Sequence, residues 1–129
     1  MPKSVSDAVL DAALDVIASG CDLMTLTEGE PLSFAEANTA KSAAGRMLAS
    51  FAMTAADFAI SDGLTSGRRV SVAAKTDAPV GDSGTADHVA LLDTVNGRLL
   101  FVTTMTSQVL TAGNLASTSA FDIEIRDPA

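Results

Sequence analysis

The sequence has 129 residues, of which 47% are hydrophobic and 19% are charged, a composition typical of one globular domain rather than of a disordered chain. Sixteen acidic and eight basic residues give a net charge of −8, which disfavours binding to nucleic-acid phosphates and to anionic membrane surfaces. The single cysteine, Cys21, excludes an intrachain disulfide, and no run of 18 apolar residues predicts a membrane-spanning helix.

The first predicted element is a helix from about Ser4 to Ser19. Its apolar residues recur at helical spacing and predict one buried face, formed by Leu10, Leu14 and Ile17 and widened by Val9, Ala13 and Val16. Ser4 and Ser6 are both suitable N-cap residues, and Gly20 stands where a left-handed C-cap is expected. Acidic residues at positions 7, 11 and 15 interrupt the apolar run that a secretion signal needs, so we expect synthesis in a reducing cytoplasm.

The next segment combines one clear strand with a stretch that allows two interpretations. Leu23 to Thr27 is predicted to be a short strand that ends in the turn Glu28-Gly29-Glu30-Pro31. Residues 33 to 47 permit either a short helix, with Ser33 and Glu36 as a capping box, or an irregular loop. An extended stretch is expected near residues 48 to 53.

From residue 54 the pattern becomes that of short strands. Apolar and polar residues alternate around residues 58–61, 69–74 and 121–126, which predicts half-buried strands. Residues 76–86 contain proline and glycines and are predicted to be a loop. Asn96-Gly97 lies between two apolar runs, His88–Thr94 and Arg98–Thr106, and predicts a β-hairpin whose two-residue turn has positive φ at both positions. A further short strand is expected at residues 109–110, followed by a turn at 112–114.

About seven short strands after a helix predict a mainly β fold, namely a small antiparallel β-sandwich or barrel with an N-terminal α-helix. Residues 1–129 are expected to form a single domain, in which residues 1–20 carry the N-terminal helix and residues 54–129 the β-rich portion. The core should contain few large side chains, because alanine is abundant and tryptophan and tyrosine are absent. Such a core indicates that contacts with other subunits supplement its stability.

One strand has apolar residues on both faces. In Leu99-Leu100-Phe101-Val102, alternation places Leu99 and Phe101 on one face and Leu100 and Val102 on the other. One pair is expected in the core, and the other must be covered either by the N-terminal helix or by another subunit. These four residues are the interface candidates. We expect a protein that is not a free monomer, with an affinity that rises with salt because its net charge is negative.

Residues Gly81-Asp82-Ser83-Gly84 resemble the nucleophile motif of serine proteases, in which a histidine base activates the serine. The glycine expected as the fifth residue is Thr85, and the only histidine, His88, lies shortly after Ser83 rather than far upstream. The motif is therefore interpreted as a turn, and a small hydrolase using Ser83 and His88 is the less favoured alternative. His88 itself is expected to open a strand and to pair with Asp87 or with the backbone.

The remaining candidates for metal binding or redox chemistry are weak. Asp77, Asp82 and Asp87 surround one predicted loop and offer oxygen ligands for Ca²⁺, but their spacing fits no known calcium loop, and a solvated acidic loop is preferred. Cys21 lacks a resolving cysteine and is expected to be a small buried residue. We therefore expect no catalytic residues, no metal and no cofactor. The lack of tryptophan and tyrosine also disfavours a glycan-binding site.

Four segments carry a resemblance to a known group of proteins: residues 85–93 (TADHVALLD), 98–104 (RLLFVTT), 121–128 (FDIEIRDP) and 67–74 (GRRVSVAA). Over residues 54–129 the chain resembles small uncharacterised proteins encoded among the virion structural genes of tailed phages and prophages. The resemblance implies a non-catalytic virion protein made in the host cytoplasm, in particular a capsid decoration (cement) subunit, or alternatively a neck, connector or tail component. Its partners would be itself, as a homo-oligomer, and/or the major capsid protein or other virion proteins, with neither nucleic acid nor membrane.

Overall fold

The computed structural model describes residues 5–126. Within them, two α-helices and nine strands follow each other along the chain: α1 (Asp7–Gly20), β1 (Leu23–Thr27), α2 (Phe34–Asn38), β2 (Met47–Ala52), β3 (Phe58–Asp62), β4 (Arg68–Val72), β5 (Lys75–Pro79), β6 (Gly84–Asp93), β7 (Arg98–Leu110), β8 (Leu115–Thr118) and β9 (Phe121–Ile125). Short 3₁₀ turns at Lys41–Ala43 and Ala55–Asp57 precede β2 and β3. Neither of these α-helices is long and apolar enough to span a membrane.

The strands form three sheets. The largest has the order β2-β1-β6-β7, the second has the order β3-β4-β9, and the third pairs β5 with β8. All the ladders between these strands are antiparallel. The prediction of a mainly β fold with an N-terminal helix and antiparallel sheets is confirmed, and the arrangement is sandwich-like rather than a closed barrel.

Helix α1 begins at Asp7, later than the predicted start near Ser4, and ends at Gly20, one residue beyond the predicted end. Ser6 is the N-cap, and its hydroxyl accepts a hydrogen bond at 3.2 Å from a backbone N–H of the first turn. The other candidate N-cap, Ser4, lies outside the described residues. The prediction of a left-handed C-cap at Gly20 is wrong. Gly20 is still helical, and the extended residue Cys21 caps the helix by donating its N–H to the Ile17 carbonyl.

The buried face of α1 is narrower than predicted. Leu10 and Leu14 are buried, but Val9 and Val16 are 59% and 45% exposed, so they do not widen that face. An ion pair of 2.7 Å between Asp11 and Arg68 of β4 ties the helix to the second sheet. The helix therefore lies on one side of the sandwich with a single apolar stripe turned inward.

The predicted loop at residues 76–86 is wrong, because two strands form there. β5 ends at Pro79, β6 begins at Gly84, and β5 pairs with β8, which the sequence pattern did not indicate. Ala78 of β5 and Ala116 of β8 lie opposite each other, and both are buried. Proline is acceptable here because Pro79 occupies the end of a strand in a two-stranded sheet. These small side chains leave little periodic signal in the sequence.

The hairpin predicted at Asn96-Gly97 is formed by β6 and β7. Its connection differs from the predicted two-residue turn, because Asp93 pairs with Arg98 and residues 94–97 join the strands. Of these four residues only Gly97 has a positive φ, of 65°. The Asp93 carboxylate is 2% exposed and accepts hydrogen bonds from the side-chain amide and backbone N–H of Asn96 and from Arg98. These contacts, first among them the Asn96 amide, lower the pKa of Asp93 to about 2, so the turn is closed by an ionised carboxylate.

Two apolar clusters pack on opposite faces of the four-stranded sheet. The main core lies between the sheets and α1, and its buried members include Leu14, Met24, Leu26, Val70, Val72 and Leu91. The second, here named the α2 cluster, consists of buried Ala37, Ala90 and Leu92 with partly buried Leu23, Phe34, Leu99 and Val102. Helix α2 covers this cluster, and its N-cap Ser33 accepts a hydrogen bond from the Glu36 N–H at 3.2 Å.

Candidate functional site

Strand β7 is the outermost strand of the four-stranded sheet. It pairs with β6 along one side, and within residues 5–126 no strand pairs with its other side. No charged residue lies between Arg98 at its start and Asp122 in β9. Natural proteins commonly protect an open strand edge with lysines, other charges or proline, because unpaired backbone groups otherwise attract another strand. Strand β7 has no such charge and no proline after Arg98.

Two irregularities divide this open edge. The ladder between β6 and β7 gains one extra β7 residue at Leu100 and two more within residues 105–107. Between these points, Phe101 to Thr104 pair with β6 in regular register. Since bulges bend a strand and disturb its ladder, the regular part of the edge is the segment from Phe101 to Thr104.

The bulge at Leu100 changes which faces the four interface candidates share. Leu99 and Val102 belong to the α2 cluster, whereas Leu100 and Phe101 pack against the main core. The predicted alternation, with Leu99 and Phe101 on one face, is therefore wrong, because an inserted residue shifts the alternation. The second face is covered in part by α2. The sequence analysis expected the cover to be the N-terminal helix or another subunit instead. All four side chains remain partly exposed, and their role in an interface stays a prediction.

A groove of about 500 Å³ runs beside this edge, between β7 and the β8–β9 connection. Its apolar lining comes from Val89, Phe101, Met105 and Phe121. Hydroxyl groups of Thr103, Thr104, Thr106, Ser117, Thr118 and Ser119 make up most of the polar lining. The Thr118 hydroxyl oxygen is buried and has no hydrogen-bond partner. Apart from Asp122, the groove is therefore lined by apolar side chains and uncharged polar groups.

The groove offers contacts for binding but little for acid–base chemistry. Asp122 is the one titratable residue among those that line it, and its carboxylate pairs with Arg69 at 3.0 Å. Sequence reasoning missed the groove, although the uncharged run from residue 99 to residue 121 was visible. That run could have been recognised as a site only with the sheet order, which makes β7 an edge.

The structure does not bring Ser83 and His88 together as a catalytic pair. Ser83 directly precedes β6, and the chain is extended through His88, so at about 3.3 Å per residue their Cα atoms lie on the order of 16 Å apart. The Ser83 hydroxyl accepts a hydrogen bond of 2.9 Å from the N–H of Ala112, so this serine holds the connection between β7 and β8 against the start of β6. The geometry therefore agrees with a structural interpretation of the Gly81–Gly84 motif.

His88 pairs with Asp87 as expected, at 2.8 Å between Nδ1 and a carboxylate oxygen. It lies within β6 rather than at its start, because the strand begins at Gly84. The Asp87 carboxylate also accepts the Gly29 N–H at 2.7 Å. His88 and then this N–H lower the pKa of Asp87, and the pair connects β6 to the turn after β1.

The three aspartates considered as calcium ligands do not form a common site. Asp82 accepts two hydrogen bonds from Ser42, at 3.2 Å each, while Asp87 binds His88 and Gly29. Asp77 is exposed and has a positive φ of 63° in β5. In the part of the chain that the structure describes, no three acidic, histidine or cysteine side chains are grouped to hold a metal ion.

Cys21 is buried, as expected, at 3% exposure. Burial raises the pKa of its thiol to about 11, and the thiol donates a hydrogen bond to the Leu23 carbonyl at 3.5 Å. Because the thiolate is the reactive form of cysteine, the protonated thiol of Cys21 is unreactive near neutral pH.

A set of ion pairs missed by the sequence analysis fixes the segment around α2. Lys41 binds Glu28 at 2.9 Å, and Arg46 binds Glu36 at 2.7 Å. The Glu28 carboxylate also accepts the Thr85 N–H at 3.0 Å, which lowers its pKa together with the larger effect of Lys41. These charges compensate each other within the chain, so the arrangement is structural.

The residues singled out for chemistry are thus dispersed, whereas those around β7 form one continuous surface. No family model matches the chain, and no curated protein or solved structure is similar to it. The open edge of β7 and the groove beside it are therefore the candidate functional site.

Proposed function

We propose that this protein is a non-catalytic structural subunit of a tailed-phage virion, in particular a capsid decoration (cement) subunit made in the host cytoplasm. From the sequence, the proposal takes up the expected resemblance of segments within residues 54–129 to small virion-associated proteins. The structural observation that carries it is the uncharged, open edge of β7 with a largely uncharged groove beside it. Such a surface is suited to adhesion.

The mechanism is strand addition and burial. An open edge offers backbone N–H and C=O groups that bond to a neighbouring strand, and side chains beside it supply apolar contact area. Phe101 and Met105 are partly exposed in the groove, so a neighbouring chain that lies on the edge also removes apolar surface from water. In a shell, many such contacts act together and hold neighbouring subunits in place.

A neck, connector or tail component is the second candidate, because the same adhesive edge serves a ring as well as a shell. The two differ in copy number. A shell protein is present in hundreds of copies per particle, whereas a ring at the neck or tail contains about six or twelve copies.

Quantitative mass spectrometry of purified particles tests the proposal. We expect the protein in hundreds of copies, and about six or twelve copies would assign it to the neck or tail instead. Absence from particles would overturn the proposal in both forms. The variant Thr104→Glu, which adds a charge to the open edge, is expected to lower the copy number, whereas Thr76→Glu on β5 adds the same charge to an exposed position of another sheet and serves as the control.

A further inference from the structure

We infer that the occupant of the open edge is a second copy of this chain. The two β7 strands would lie antiparallel about a two-fold axis normal to the sheet, which joins the two four-stranded sheets into one. This inference rests on the proposed function in that it names the partner of the same adhesive surface.

Charge is the observation that selects a second copy. Each chain carries a net charge of −8, so two copies repel wherever their acidic surfaces meet. The stretch between Arg98 and Asp122 contains none of the acidic residues, and it supplies β7, β8 and most of the groove lining. Two copies can therefore approach through β7 without placing carboxylates opposite each other. A basic partner would instead be drawn to the acidic surfaces elsewhere.

The opposite edge of the same sheet, β2, is also uncharged, but isolated bridges already pair its Met47 and Ala49 with residues 40 and 80. The edges of the second sheet are charged. β9 lies at the edge of the second sheet and carries Asp122 and Glu124, and β3 at the opposite edge ends in Asp62. Self-pairing of β9 would bring like charges together across the new ladder, which destabilises such a pair. The edge of β7 is both uncharged and free of such bridges, so it is favoured over the edges of β2, β3 and β9 for contact between identical chains.

The regular segment from Phe101 to Thr104 sets where the strands can pair. In a two-fold antiparallel pairing that keeps the same faces together, the residue at the axis lies opposite itself, and its neighbours pair across the axis. The inferred axis falls at Thr103 or Thr104, where the two Thr104 side chains lie two residues apart or directly opposite each other. Thr104 is exposed, so a charge placed there acts on the contact rather than on the core.

Size-exclusion chromatography with light scattering of the purified protein tests the inference. The wild-type chain is expected at the mass of two chains, with an affinity that rises with salt because screening weakens the repulsion between negative copies. Thr104→Glu and Thr104→Lys should each weaken the dimer at least about tenfold, since either charge meets its own kind across the axis. Thr104→Ser and Thr76→Glu are the neutral and remote controls and should dimerise as the wild type does.

Two results would overturn self-pairing: a wild-type protein that stays monomeric at all concentrations, or charged Thr104 variants that fold and dimerise normally. Thermal unfolding of each variant identifies a substitution that damages the fold. If one of the two charged variants does not fold, the other one carries the test. A monomer that is incorporated into particles contradicts the inference and leaves the proposed function standing. A dimer that is absent from particles supports the inference and overturns the proposed function.

Discussion

Leu91 and Leu92 are neighbours on β6, and neither side chain has measurable exposure, yet they lie in different surroundings. Leu91 faces the main core, between the sheets and α1. Leu92 faces the α2 cluster, where the cover is a helix of five residues. Two identical side chains with the same burial are therefore supported by layers of very different thickness.

The polar residues on the two faces sharpen this comparison. Thr25 and Thr27 of β1 are fully buried on the face that carries the α2 cluster. The Thr27 hydroxyl donates to the Gly29 carbonyl at 3.0 Å, whereas the Thr25 hydroxyl oxygen has no partner. A buried hydroxyl without a partner costs free energy. The face under α2 therefore buries two hydroxyl groups beneath a cover of one short helix, which indicates that this cover is the weaker part of the fold.

The largest expected effect is that of Leu91→Ala. We expect a loss of about 4 kcal/mol in the free energy of unfolding, because a cavity surrounded by several sheets and a helix cannot collapse. Chemical denaturation measures this loss. A loss below about 2 kcal/mol would mean that the main core is loosely packed.

Leu92→Ala removes the same atoms on the opposite face. We expect a smaller loss, of about 2 kcal/mol, because α2 and the chain beside it can move into the space. The two variants are matched in chemistry and burial and serve as controls for each other in the same denaturation experiment. If Leu92→Ala costs as much as Leu91→Ala, the difference between the two faces does not exist.

Gly97→Val acts on the hairpin of β6 and β7, which contributes side chains to both the main core and the α2 cluster. Gly97 has a φ of 65°, and a Cβ atom placed there meets no other atom within 4 Å, so the cost comes from the backbone alone. We expect a loss of on the order of 1 kcal/mol or more, because a β-branched residue is strained at positive φ. Gly97→Asn is the control, since asparagine tolerates this conformation. Equal stability of the two variants, measured by thermal unfolding, would argue for a turn that does not need positive φ.

Ser33→Ala is expected to have the smallest effect, a loss of about 0.5–1 kcal/mol, because it removes the N-cap of α2 alone. Hydrogen exchange should show faster opening of residues under α2 and unchanged protection of β4, which lies on the other side of the main core. Ser33→Asp retains a capping oxygen and should restore protection. Faster exchange throughout the chain would contradict a separate, weaker cover.

Local patterns predicted the elements whose signals lie within a few residues. The periodicity of Leu10 and Leu14 identified α1, the bounds of β1 agree with those predicted, and Asn96-Gly97 identified the hairpin of β6 and β7. The turn type was wrong because Asp93 closes a longer connection through its side chain, a contact that turn propensities do not include.

The remaining features depend on contacts between distant residues. The pairing of β5 with β8 joins residues far apart in the sequence through alanines, which carry weak strand signals. The bulge at Leu100 arises from the register between β6 and β7, so alternation along β7 alone placed Leu99 and Phe101 together. For the candidate site, the sequence contained the uncharged run, but only the sheet order makes that run an edge.

The turn between β6 and β7 also bears on the chemical ageing of the protein. An asparagine followed by glycine is prone to deamidation, in which the glycine nitrogen attacks the side-chain carbonyl carbon of the asparagine. Here the Asn96 amide is held by Asp93 at 2.8 Å, and that carboxylate stays ionised because its pKa is about 2. The side chain is thereby fixed and hindered from rotating into the geometry of attack. Spontaneous conversion of Asn96 to aspartate should therefore be slow.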